Sequence, residues 1–191
     1  METLPNDILD FWFGAPDSAL HGTVRDEWFR KDAVFDGQIR ARFGETIEVA
    51  LAGGMTDWTT PRATLARVLL LDQFTRNAFR DSKRAFAGDV AALAVATTAV
   101  EQQLDAQLTK LERWFLYLPF EHAESPAAQT QSLALYTRLR DETGFGEPLV
   151  WAIKHARVIK LFGRYPHRNA ILGRVSTPEE VAFLATPGSG F

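Results

Sequence analysis

The chain has 191 residues, a formal net charge of −3, 46% hydrophobic residues and no cysteine. Disulfides, thiolate metal sites and cysteine nucleophiles are thereby excluded, and the length suits one domain able to bury a core unaided. The acidic balance also argues against a nucleic-acid backbone binder.

The N-terminus, METLPNDILDFWFG, carries acids where a signal peptide needs Lys or Arg. No apolar run approaches a membrane span, so no membrane partner and a cytoplasmic location are expected. Gly14 closes the first apolar segment. Phe35, Ile39, Phe43, Ile47 and Ala50 then recur at helical spacing and run to Gly53-Gly54. Thr60-Pro61 sets a capping hydroxyl before a first-turn proline, and the stripe Leu65, Val68, Leu69 follows. The run from Ala91 to Ala99 has high helix propensity. Thr109 with Glu112 fits a capping box ahead of Leu111, Trp114, Phe115 and Leu118. Ser125-Pro126 opens another helix, carrying Leu135, Tyr136 and Leu139 and closed by Gly144. Glu147-Pro148 starts the next, whose apolar face is expected to hold Trp151, Val158, Ile159 and Phe162 before Gly163. Thr177 with Glu180 is a second capping box, and Thr186 to Phe191 reads as a loose tail. No segment shows the period of a strand. The fold class is all-α, a single domain over residues 1–191 with about eight helices joined by short loops.

Several polar residues stand out against this pattern. Asp72 extends the stripe of Leu65, Val68 and Leu69, with Arg76 one turn on and Arg80 beyond it. It reads either as a structural ion pair or as a carboxylate that orients an arginine toward a ligand. His155 shares a face with Trp151 and Val158, so it is either a hydrogen-bonded core histidine or an acid–base group in a cleft. His122 and Glu124 sit at a corner between two helices, where functional residues often lie. Their spacing matches no metal signature such as HExxH, and no metal or cofactor is expected. The stretch KHARVIKLFGRYPHRNAILGR, residues 154–174, contains no acid at all. Within it Arg164, His167, Arg168, Asn169 and Arg174 form the loop best suited to clamp a phosphate or carboxylate. The competing reading is that these cations serve the C-terminus of the preceding helix. GxGxxG, P-loop and GxSxG signatures are missing, so those nucleotide and serine-hydrolase routes have no support.

The blocks FWFG (11–14), WFRKDAVFD (28–36), LLLDQFTRNAFR (69–80), RWFLYLPFEHAES (113–125) and FGRYPHRNAILGRVSTPEE (162–180) occur in that order. Together they resemble the bacterial domain-of-unknown-function family numbered 924 over nearly the whole chain. The resemblance implies an all-helical, tetratricopeptide-like superhelix and no particular activity. The chain departs from the family pattern at Thr75, where the family often has Pro, and at Glu121-His122-Ala123-Glu124, where it has Met-His-Ser-Glu.

The leading expectation is an anionic small-molecule ligand held by Asp72, Arg76, Arg80, Arg164, His167, Arg168, Asn169 and Arg174. One alternative is a tetratricopeptide-like interaction module with a protein partner, supported if Trp12, Phe13, Trp28, Phe29 or Trp58 is exposed. The other is a hydrolase or lyase using His122 or His155 with Glu124 or Asp72 as an acid–base pair.

Overall fold

The structure is a computed structural model that describes residues 3–188; the end of the tail expected to be loose, from Ser189 to Phe191, lies outside the described residues. Every regular element among the described residues is helical, as the periodicity predicts. None of these helices is long and apolar enough to cross a membrane. The chain forms two compact units. Unit 1 comprises the residues up to Arg80 together with Arg84–Pro119, and unit 2 comprises Asp81–Lys83 and the residues from Phe120 onward.

Unit 1 contains α1 (Pro5–Phe13), α2 (Ala33–Leu51), α3 (Pro61–Val68), α4 (Thr75–Ala78), α5 (Asp89–Glu101) and most of α6 (Lys110–His122). Helix starts follow the capping residues. Asp32 accepts from the amides of Val34 and Phe35, and the Thr60 hydroxyl accepts from Ala63 at 3.3 Å. The Thr109–Glu112 box closes in both directions, at 2.9 and 3.3 Å. Helix α3 packs against α1 and α5. A π-helical stretch, Leu69–Phe74, joins α3 to α4 and packs with α4 against α2. The core here is aromatic. Trp12 stacks on Trp28 at 5.9 Å and meets Phe115 edge-on at 5.4 Å, while the Trp28 indole donates to the Trp12 carbonyl. Trp12, Phe13 and Trp28 are therefore buried, whereas Phe29 is exposed and Trp58 half-buried. Gly88 abuts the π-helical stretch so closely that a Cβ on it would lie 2.1 Å from the Leu71 carbonyl oxygen. The unit ends inside α6 at Pro119, a residue that contributes no N–H to the helical ladder.

Unit 2 is organised by α7 (Pro126–Thr143) and α8 (Glu147–Phe162), which pack side by side across the short loop 144–146. The Ser125 hydroxyl caps α7, and Gly144, at φ 74°, turns the chain toward α8. Gly163, at φ 69°, ends α8 with its amide on the Ile159 carbonyl. A short turn, Pro166–Arg168, leads into α9 (Asn169–Leu172), and α10 (Pro178–Leu184) opens on the Thr177–Glu180 box. Val158, Ile159 and Tyr165 form a buried cluster with Phe162 and Phe183 against it. Trp151 does not join the buried face of α8 as its spacing predicts; it is 40% exposed. Its indole lies beneath the Lys154 ammonium, 4.0 Å from the ring centre, a cation–π contact that suits an aromatic at the edge of a helix face.

Candidate functional site

The polar residues singled out in the sequence fall into separate networks. In unit 1, Asp72 is fully buried and pairs with Arg76 at 3.2 Å, while Gln73 donates to its other oxygen. Arg76 also reaches Asp89 at 2.9 Å. Arg80 makes two hydrogen bonds to Asp36, at 2.7 and 2.9 Å, and Asn77 donates to that same carboxylate. Burial pushes the Asp36 carboxyl up, but Arg80 and Asn77 outweigh it and hold the group below its usual range. Asp72, Arg76 and Arg80 thus bind one another or neighbouring carboxylates in geometry that anchors helices. This is the structural reading of Asp72.

In unit 2 a chain of charge-assisted bonds shapes the segment after α8. Glu180 caps α10 through the Thr177 amide and grips Arg164 with both oxygens, at 2.6 and 2.8 Å. Asn169 donates to Glu180 and accepts from Arg174 Nε. Arg174 in turn forks onto Glu124, at 2.6 and 2.9 Å. Glu124 thus accepts from Arg174 and from the Tyr165 amide. Hydrogen bonds from Arg164 depress the Glu180 carboxyl to about 2. Burial raises Glu124, yet Arg174 and the Tyr165 amide together leave it below the ordinary carboxylate value. Nor do Arg164 and Arg174 serve carbonyls at the end of α8. They bond the Val175 and Tyr165 carbonyls, beyond the helix, besides their carboxylates.

That scaffold fixes Tyr165, whose side chain is fully buried. Its hydroxyl donates to the Glu121 carbonyl at 2.5 Å and accepts from Gln129 at 3.0 Å. Three cationic or potentially cationic groups converge on its ring. His155 meets it edge-on at 5.5 Å, His167 lies at 5.6 Å, and the Arg168 guanidinium stands 4.6 Å above the ring centre. The His122 ring is 6.2 Å from that of His155. His155 and Arg168 are each 6% exposed, while His122 and His167 are half-buried and reachable from solvent.

His155 Nδ1 lies 3.0 Å from both the Trp151 carbonyl and Glu121 Oε1. Burial, then the neighbouring His122, push its proton affinity down to about 3. The ring is therefore neutral at pH 7. Because a carbonyl can only accept, its proton sits on Nδ1 and Nε2 carries the lone pair. His167 is held at about 4 by burial and then by Arg168, with Glu124 opposing. Arg168 also lowers His155, and His122 also lowers His167. Each histidine thus senses positive neighbours, which favours an anion beside them.

Sequence reasoning found His122, His155, His167 and Arg168 but missed Glu121, Gln129 and Tyr165. Glu121 and Tyr165 lie inside the quoted blocks, next to His122 and between Arg164 and Pro166, so proximity was the available signal; Gln129 has none. Among the described residues no group of three or more His, Asp or Glu side chains is placed to hold a metal.

A family model described as bacterial protein of unknown function (DUF924) matches residues 8–188. A solved structure of the protein of unknown function ATU0120 from Agrobacterium tumefaciens is similar, with 38% sequence identity and a TM-score of 0.84. The match covers 95% of this chain and 96% of that one. Among curated proteins, none matches.

Proposed function

Because the chain belongs to the bacterial family of unknown function DUF924, its role has to be read from its own site, and we propose that unit 2 binds a small anionic ligand. His122, His155, His167 and Arg168 are the binding residues. The observation that carries this reading is the convergence of His155, His167 and Arg168 on the Tyr165 ring, with both histidines depressed partly by cationic neighbours. An anion placed there relieves that repulsion and accepts charge-assisted hydrogen bonds. Arg164, Asn169 and Arg174, expected to touch the ligand, act instead by holding the loop that presents His167 and Arg168.

Titration with inorganic phosphate and with citrate, followed by calorimetry and histidine ring NMR, tests the proposal. Binding is expected to raise the His167 pKa, and Arg168→Ala is expected to weaken it at least tenfold, equivalent to about 1.4 kcal/mol. Arg157→Ala serves as a remote control. An absence of binding up to millimolar anion, or binding indifferent to both Arg168→Ala and His167→Asn, overturns the reading.

A second reading, general acid–base catalysis, is favoured by the His155–Glu121 contact at 3.0 Å. A ring held near 3 is a weak base at neutral pH, so catalysis requires a bound anion to raise it. Phosphate-ester and carboxylate-ester substrates distinguish the two readings. Turnover lost in His155→Gln by far more than ligand affinity supports catalysis; binding without turnover leaves a pure binding site.

A further inference from the structure

The outward face of α8 combines exposed apolar and cationic side chains. Along it Val150, Ile153 and Leu161 are 54%, 54% and 59% exposed, and Trp151 joins them at 40%. Lys154, Arg157 and Lys160 lie on the same face, also exposed. At 100° per residue Val150, Ile153, Lys154, Arg157, Lys160 and Leu161 all fall within one side of the helix. From Val150 to Leu161 the face runs about 16 Å. Exposed helix positions ordinarily carry polar residues, so three large apolar side chains along one side, with Trp151 at its edge, mark a contact surface.

The charges on that face are also unanswered. Arg164 and Arg174 are forked onto Glu180 and Glu124, and Arg76 and Arg80 onto aspartates. By contrast Lys154 meets only the Trp151 ring, and Arg157 and Lys160 meet no carboxylate among the described residues. No acid occurs in the sequence between Glu147 and Glu179. Glu124 and Glu180 are committed to the loop scaffold, which leaves the cations of this face to a complementary partner.

We infer that this face docks an acidic amphipathic segment of a protein partner, with carboxylates opposite Lys154, Arg157 and Lys160 and apolar side chains against Val150, Ile153 and Leu161. A helix is the natural form, since its i, i+3, i+4 spacing matches the row it lies on. A lipid surface fits less well. A helix that enters a bilayer keeps an unbroken apolar stripe along its axis, and here Lys154 and Arg157 interrupt the row lengthwise between Val150 and Leu161. The inference is independent of the proposed anion site, because none of these residues contributes to it.

The test uses the full chain as bait for a displayed library of amphipathic helical peptides whose polar positions are Glu in half the members and Lys in the other half. The expected result is enrichment of Glu-bearing members, with NMR perturbations confined to residues 150–161. The triple variant Lys154→Glu, Arg157→Glu, Lys160→Glu should weaken those peptides at least tenfold and enrich Lys-bearing members instead. All three positions are exposed, so an unchanged melting temperature certifies that the variant is folded. Enrichment indifferent to charge, or perturbations that fall elsewhere, overturns the inference. So does retention on phosphatidylglycerol vesicles without peptide enrichment, which assigns the face to lipid. A concentration-dependent dimer dissolved by the triple variant also overturns it, because the occupant is then a second copy of the chain.

Discussion

At the scale of the residue, buried His155 and half-buried His167 make acid the condition to which unit 2 is most sensitive. In the unfolded chain each takes up a proton near the ordinary imidazole value of 6.5, but folded they resist until about 3 for His155 and about 4 for His167. Between those limits the unfolded chain holds more protons than the folded one. Stability therefore falls as pH drops below 6.5, by about 1.4 kcal/mol per pH unit for each histidine, and His167 stops contributing below 4. Glu180 works in the same direction in a lower window. Its contribution is complete above 4.5 and is lost as pH falls through about 2. Urea denaturation at pH 7 and pH 5 checks the histidine share. The wild type is expected to lose several-fold more stability across that interval than the His155→Gln, His167→Asn double variant, while equal losses refute the assignment.

At the scale of the element, local chemistry wrote most helix boundaries into the sequence. Thr60, Ser125 and Thr177 announce helix starts because each hydroxyl accepts an amide only three residues away. The stripe from Phe35 to Ala50 is buried throughout, because one amphipathic period decides its fate. What periodicity cannot express is a change of helical period, so the π-helical stretch Leu69–Phe74 had no advance signal, nor did the short helices α4 and α9. Gly88 is a related case: only the fold reveals that α5 begins against the Leu71 carbonyl. Gly88→Ala is expected to cost about 2 kcal/mol, in the range of other overpacking changes. Thermal denaturation measures that loss, and a neutral outcome would mean that the contact between α5 and the π-helical stretch is loose.

At the scale of the whole molecule, the candidate site was half legible. His122, His155, His167 and Arg168 could be named because their residue types announce chemistry. Their grouping could not, nor could the split that leaves Asp72, Arg76 and Arg80 in unit 1. The partners that decide each role are distant in sequence: Asp36 is 44 residues from Arg80, and Glu124 is 50 from Arg174. Each unit has its own core and its own ion-pair network, so local openings should differ between them. Hydrogen exchange tests this. Glu124→Gln, which breaks a partly buried fork worth about 2 kcal/mol, is expected to speed exchange mainly from residue 120 onward. Gly88→Ala should act mainly within residues 33–101. Uniform acceleration by both variants would mean that the chain opens as one cooperative body.

The reach of Glu180 has a practical meaning for anyone who trims or tags this protein. α10 holds none of the histidines or arginines of the candidate site, and a short helix so near the chain end looks dispensable. Yet its Glu180 secures Arg164 and Asn169, Asn169 steadies Arg174, and Arg174 fastens Glu124, beside His122. A truncation at residue 177 would therefore undo a knot tied more than fifty residues upstream, and an affinity tag is better placed at the opposite terminus.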